Sequence, residues 1–481
     1  MNSSSLSLAP EIVSEACAPI AAASAAFALR YPGESGARRP VHTVYGGAHL
    51  FRADLAQKLG AAALAAIEAY APNAMTFSLA LGLPGSASLL APPSPIASFN
   101  AAFSDDAHAT RGPLWLAETV HARVLEKLRR EPVEDLRIDF EDGYGTRSDA
   151  EEDDHAVAAA RAVGEGMNRG TLPPFLGIRI KGLGGETRSR AARTLDLFLT
   201  ALASTHRGLL PGGFVITLPK ITVAEEVAAL ASLLDALEGR LGLAHGAIGI
   251  ELMIEAPQIV LGPSGVSGLP RLLDAGRGRV VSAHFGAYDY TAACDVVAQH
   301  QTLAHPACDL ARQMMQLCFA GTSVRLSDGA TNVLPIPPHK ASPGAHLGPR
   351  EATRNHETVI AAWKLHHDSI RRALIQGIYQ GWDLHPAQLP VRYAATYAFF
   401  LEGLEVAESR LVNFVNRAAQ ATRTGPVFDD AATGQGLLNF FLRAVDAGAL
   451  TEVEAATRTR LSLAELRGKS FARIVAERRA P

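Results

Sequence analysis

Eight stretches of the chain are dense in apolar, largely β-branched or aromatic residues, and longer helix-type stretches separate most of them. They are VHTVYGGAHLF (Val41 to Phe51), DLRIDFEDGYG (Asp135 to Gly145), PFLGIRIKGL (Pro174 to Leu183) and GGFVITLPKI (Gly212 to Ile221). AIGIELMIEAP (Ala247 to Pro257), RVVSAHFGAYDY (Arg279 to Tyr290), TSVRLSDGA (Thr322 to Ala330) and the weaker GIYQGWDLHPAQ (Gly377 to Gln388) complete the set. Most run apolar without alternation, as strands do when helices cover both faces of a parallel sheet. Between them, AEEDDHAVAAARAV places its acids where a helix dipole favours them. AEEVAALASLLDALEGRL, HPACDLARQMMQLCF and HETVIAAWKLHHDSIRRALIQ repeat apolar residues at helical spacing. Eight strands alternating with helices predict a (β/α)8 TIM barrel, and an open parallel sheet is the structural alternative.

The barrel is expected over residues 41–389, after an N-terminal helical segment, 1–40. The stretch from Leu55 to Trp115 is too long for one connection and predicts a helical insertion after the first strand. From residue 390 to 481 the pattern is helical, in AATYAFFLEGLEVAESRLVNFVNRAAQ, GQGLLNFFLRAVDAGAL and SLAELRGKSFARIVAERR, and predicts a C-terminal helical region. With 48% apolar and 19% charged residues, a chain of 481 residues can bury a large core. The net charge of −3 gives no reason to expect nucleic acid or an anionic membrane as partner. Cys17, Cys294, Cys308 and Cys318 form neither a disulfide framework nor a zinc spacing, so a reducing, cytoplasmic location is expected. The apolar run from Ala16 to Leu29 falls below the ~18 residues of a membrane span, and Glu11 and Glu15 stand where a signal peptide carries basic residues. It predicts a short helix and no membrane association.

Polar residues collect at the C-terminal ends of the expected strands, the face that carries the active site of a barrel enzyme. Glu255 in MIEAP and Asp289 in GAYDY each follow an apolar run. On adjacent strands they would share one mouth, and their oxygens suit Mg²⁺ or Mn²⁺. A helix cap and a closed turn explain them otherwise. Asp139, Glu141 and Asp142 repel one another unless they are solvated or a cation lies close. Arg179, charged within an apolar strand, is suited to clamp a carboxylate or stabilise an enolate oxygen, or else to pair with the neighbouring acids. Lys220 ends the fourth strand and suits charge stabilisation better than Schiff-base chemistry. Gly286 and Ala287, beside Asp289, join Arg179 and His385 as substrate-binding candidates, although His385 before Pro386 equally suits a turn. Asp328 on an expected mobile loop and His49, after Gly46 and Gly47, are candidates for the general base. There is no P-loop, no strand-linked GxGxxG and no GxSxG elbow.

Taken in order, IDFEDGYG, IRIKGL, LPKI, MIEAP, FGAYDYTA and WDLHPAQLP resemble the strand-end motifs of the HpcH/HpaI aldolase and citrate lyase beta-subunit superfamily. That superfamily lies in the phosphoenolpyruvate/pyruvate barrel group and is similar to malate synthase. The resemblance runs from about Val41 to the helix after Gln388. It implies Mg²⁺ held by Glu255 and Asp289, with Glu141 and Asp142 orienting waters and Arg179 stabilising an enolate or alkoxide. It implies C–C bond cleavage or formation on a 2-oxo acid, glyoxylate or acyl-CoA thioester, in a homo-oligomer. Lys181 and Ala256 depart from the family's usual Asn and Thr, and the chain is longer than a citrate lyase beta subunit, so a divergent subfamily is expected. A thioester hydrolase and a non-catalytic ligand-binding barrel are the alternatives.

Overall fold

A computed structural model of the chain describes residues 7–33, 36–90, 112–205, 209–342, 344–416, 422–424, 427–429, 431–468 and 474. Eight parallel strands close into a barrel in sequence order. They are β1 (His42–Gly47), β2 (Asp135–Asp139), β3 (Phe175–Arg179), β4 (Val215–Leu218), β5 (Gly249–Ile254), β6 (Val280–Phe285), β7 (Arg325–Ala330) and β8 (Gln380–Asp383). All eight expected strands are present, each shorter than its run; all but β7, which ends with its run at Ala330, stop before the run does because the run continues into the turn beyond the strand. β4 is buried at every residue, which accounts for its near-continuous apolar pattern. β2 is buried throughout as well, although it alternates charged and apolar residues, because Asp135 pairs with Arg137 and Asp139 with Arg179.

The connecting helices obey local rules. Ser148 caps the helix Asp149–Arg169: its side chain accepts from the Glu151 N–H, and the Glu151 carboxylate accepts from the Ser148 N–H. That helix ends at Gly170, whose φ of 63° suits a residue without Cβ. Asp149, Glu151 and Glu152 occupy its first turn. After β1 come the helices Leu55–Tyr70 and Ala74–Leu81 and a 3-10 turn Ser86–Leu90, before Pro113–Arg130 leads into β2. The middle of the expected insertion, 91–111, lies outside the described residues.

After β8 the helices Leu389–Glu402, Leu404–Asn416, Ala431–Asp446, Glu452–Thr459 and Leu463–Arg467 follow, as the pattern predicts. A short antiparallel pair, Thr422–Thr424 with Val427–Asp429, interrupts them and is not legible in the sequence. Tyr393, Tyr397, Phe400, Phe414 and Phe441 join the same apolar cluster as the barrel.

One expectation is corrected at the N-terminus. Pro10–Arg30 is a single helix of 21 residues with none buried, not a short one. By length and composition it is apolar enough to cross a membrane, so no membrane expectation rests on its length. Arg30 at its end bonds Asp274 at 2.6 Å.

β8 is tied to β1 through Asp383, which is fully buried. Its carboxylate faces His42 Nδ1 and His366 Nε2, each at 2.9 Å, and accepts from Arg392 Nη2 at 2.8 Å. Removing one partner of such a group strands the others in a dry interior. Asp383→Ala is expected to lower stability by about 3–5 kcal/mol, read as a shifted urea midpoint. An unchanged midpoint would deny the network this role.

Candidate active site at the barrel mouth

Asp139 and Arg179 are register partners on β2 and β3. Asp139 Oδ1 accepts from Arg179 Nε at 2.7 Å and Oδ2 accepts from Nη2 at 2.5 Å. The same two oxygens accept from the backbone N–H groups of Glu141, at 3.0 Å, and Gly143, at 2.7 Å. One carboxylate thus fixes both the guanidinium and the loop after β2. A Cβ at Gly143 would sit 2.5 Å from Asp139 Oδ2, so the loop closes this tightly only with glycine there.

That loop presents Glu141 and Asp142. Glu141 Oε2 lies 3.2 Å from Arg179 Nη1, and Asp142 Oδ2 lies 3.8 Å from it. Lys220, directly after β4, reaches three acids with its ammonium. Nζ is 3.1 Å from Glu141 Oε1, 3.5 Å from Asp142 Oδ2 and 3.1 Å from Asp289 Oδ2. Its backbone N–H donates to the Glu255 carboxylate. Glu255 follows β5 and is buried. Asp289 lies in the first turn of the helix Ala287–Ala293, not in a loop. The loop after β2 and the ends of β4, β5 and β6 therefore bring Glu141, Asp142, Lys220, Glu255 and Asp289 together.

The electrostatics follow from this crowding. Burial foremost, with Asp289 nearby, pushes Glu255 up to about 8, against the pull of Lys220. Burial also raises Glu141, although Arg179 opposes it. Asp142 is pushed up by burial too, but its hydrogen bond with Glu141 and the charges of Arg179 and Lys220 outweigh that and hold it low. Lys220 is held above its ordinary range: burial disfavours its charge, and Glu255, Glu141, Asp142 and Asp289 more than compensate. Carboxylate oxygens alone form the anionic donor set, which is the chemistry Mg²⁺ and Mn²⁺ prefer.

The remaining candidates divide. Gly286 backs onto Glu255, since a Cβ there would lie 2.6 Å from Glu255 Oε2. Ala287 is buried at the start of the next helix. His49 sits in the 3-10 turn after β1, its ring 5.6 Å from Tyr144 and 6.2 Å from His155. Its Nδ1 is buried with no hydrogen-bond partner among the described residues. Burial, with Arg147, His155 and Arg52 nearby, lowers its pKa, so the ring is a neutral proton acceptor at neutral pH. His385 Nδ1 accepts from the Ala387 N–H at 3.2 Å and caps the turn Pro386–Gln388, the turn role open to it in the sequence.

Asp328 requires a correction of place. It lies on β7, not on a mobile loop, and is buried. It accepts from Arg312 Nη1 at 3.1 Å and from the Gly329 N–H at 2.9 Å, so its lone pairs are engaged in holding the helix Pro306–Phe319 to the barrel.

Two residues escaped the sequence reading. The guanidinium of Arg179 lies 4.9 Å from the ring centre of Tyr45 and 5.6 Å from that of Trp382. The two rings pack 4.3 Å apart, and Trp382 Nε1 is buried without a partner among the described residues. Tyr45 belongs to the first apolar run and Trp382 to the weak eighth, and nothing in a linear pattern brings them beneath Arg179. A second acidic group, Asp235, Glu238 and His245, lies within ligating distance of one centre. Arg277 and Arg279 already pair with its acids, at 2.9 and 2.6 Å.

The sequence matches a family described as a domain of unknown function, DUF6986, over residues 20–474. The chain belongs to the DUF6986 family. No curated protein matches it. Among solved structures, a citrate lyase from Burkholderia xenovorans is similar at 20% identity and a TM-score of 0.50, over 70% of this chain and 91% of that one. A Haloferax volcanii malate synthase, as its magnesium/glyoxylate complex, gives 14% and 0.40, over 71% and 87%. Mycobacterium tuberculosis CitE, with magnesium, acetoacetate and coenzyme A, gives 17% and 0.41, over 68% and 95%. The first likeness is one of fold and accords with the barrel of this DUF6986 protein.

The raised Glu255 carboxyl gives a signed pH prediction. A carboxyl whose folded pKa exceeds its unfolded value stabilises fully below the unfolded pKa and loses that contribution as pH rises to about 8. Glu255→Gln is therefore expected to melt like wild type near pH 5 and above it at pH 9, by differential scanning fluorimetry in metal-free buffer. Equal melting at both pH values would contradict the raised pKa.

Proposed function

We propose that this DUF6986 protein is a divalent-cation-dependent carbon–carbon lyase or aldolase acting on a 2-oxo acid, glyoxylate or acyl-CoA thioester. The observation that carries the reading is the gathering of four acids around Lys220 at the C-terminal mouth, Glu141, Asp142 and Asp289 on its ammonium and Glu255 on its backbone N–H. The ordered strand-end motifs support it independently. Glu255 and Asp289 would hold Mg²⁺ or Mn²⁺, with Glu141 and Asp142 at its outer side. Such an ion supplies Lewis acidity at a carbonyl beside a carboxylate.

The chain's own groups have distinct tasks. Arg179 uses Nε and Nη2 on Asp139, which leaves Nη1, on the Glu141 side, to face developing negative charge on an enolate oxygen. The pair with Asp139 fixes its orientation, so little reorganisation accompanies the charge. Tyr45 and Trp382 back the guanidinium and keep water from that side. His49, in the turn after β1 at the same end of the barrel and with its pKa lowered, is assigned as the base for the substrate carbon. Gly286 and Ala287 contribute backbone to the substrate's edge of the mouth, and Lys220 contributes charge. A cytoplasmic homo-oligomer fits this reading.

The test is solvent exchange at carbon. The protein is incubated in D₂O with Mg²⁺ and pyruvate, oxaloacetate, acetyl-CoA or propionyl-CoA, and followed by proton NMR. Wild type is expected to exchange one of them at least about 100-fold faster than Glu255→Ala. Release of free CoA without exchange would replace the reading by a thioester hydrolase. No reaction with any of them, despite bound Mg²⁺, would favour a non-catalytic binder.

A further inference from the structure

Lys220 is one of four non-glycine residues with positive φ among the described residues, at 53°. A long side chain seldom adopts this conformation without compensation. Here both of its nitrogens are used. The backbone N–H bonds Glu255, and the ammonium reaches Glu141, Asp142 and Asp289. One residue thus touches all four acids of the mouth, three through Nζ and Glu255 through its backbone.

A Mg²⁺ ion bound by Glu255 and Asp289 needs their oxygens at about 2.0–2.1 Å. The Lys220 ammonium, 3.1 Å from Asp289 Oδ2, would then lie within a few ångströms of a second cation, in a half-buried site where repulsion is poorly screened. The two cannot share the position. The Lys220 side chain is 42% exposed, so it has an open route towards solvent.

We propose that the Lys220 ammonium is a built-in occupant of the cation position, displaced when a divalent ion binds, so that Lys220 sets the metal affinity. This rests on reading Glu255 and Asp289, with Glu141 and Asp142 at the outer side, as a divalent-cation site. The side chain keeps the acids neutralised between ions and weakens metal binding. Lys181, on the neighbouring strand end, carries the same charge but is spent on Glu152 and the Phe140 carbonyl, so it takes no part in the exchange.

The test is titration with MnCl₂, reading free Mn²⁺ by electron paramagnetic resonance. Lys220→Met is expected to bind Mn²⁺ at least about tenfold more tightly than wild type. Lys220→Asn should do the same, and it accepts the left-handed backbone if the methionine variant folds poorly. Lys181→Met should stay within about threefold of wild type. Unchanged or weaker binding in both Lys220 variants, or equal tightening by Lys181→Met, would overturn the inference. If binding is then still abolished by Glu255→Ala, the metal site stands without it. If Mn²⁺ binding is absent, or indifferent to Glu255→Ala, the proposed function falls with it.

Discussion

The buried pair of Asp139 and Arg179 is the constraint on which the mouth of the barrel depends. Four donors converge on the two oxygens of Asp139, two from the guanidinium and two from the backbone of the loop after β2. A buried ion pair of this kind contributes little net stability against a well-packed apolar pair, but losing one partner is costly. Its effect here is positional. With Asp139 satisfied, that loop has one way to run, and its path brings Glu141 and Asp142 to Lys220. The remaining guanidinium nitrogen is left directed at the same place.

Beneath the mouth lies a second buried polar layer. Arg137 on β2 bonds Glu251 on β5 through Nε at 3.0 Å and Nη2 at 2.9 Å. Glu251 also accepts from Thr217, Ser282 and Tyr45, while Tyr45 and Ser327 both touch His284. Full satisfaction of these groups fixes their rotamers. Tyr45 belongs to both layers, since its hydroxyl is tied to the lower network and its ring supports Arg179. A rigid floor of this kind lets a crowded cluster of acids above it keep its spacing.

Much of this was legible along the chain, for physical reasons. β4 is dry on both faces, so its burial shows as a near-continuous apolar run; β2 is equally dry, but its charges hide that in the sequence because they are paired inside. Glu255 and Lys220 stand out because each ends such a run with a charge, and the structure places the two side by side. The crowding of Asp139, Glu141 and Asp142 called for cations nearby, and Arg179 and Lys220 are those cations. Contacts across the barrel left no such trace. Tyr45 and Trp382 meet only because β1 and β8 close the circle. Asp328 looked like a loop acid because Ser-Asp-Gly is turn chemistry, yet Arg312 holds it within β7. The left-handed backbone at Lys220 is invisible in a residue type that ordinarily avoids it. The N-terminal helix exceeds the apolar run from Ala16 to Leu29 because it begins earlier, at Pro10 in its first turn, and takes in the polar stretch with Glu11 and Glu15.

The central claim is that the acids of the mouth form a cation site, and anomalous diffraction from crystals grown with Mn²⁺ tests it most directly. The account predicts an anomalous peak bounded by carboxylate oxygens of Glu255 and Asp289, with the Lys220 side chain turned away from it. No peak there while Mn²⁺ binds in solution, or a peak confined to Asp235, Glu238 and His245, would contradict it.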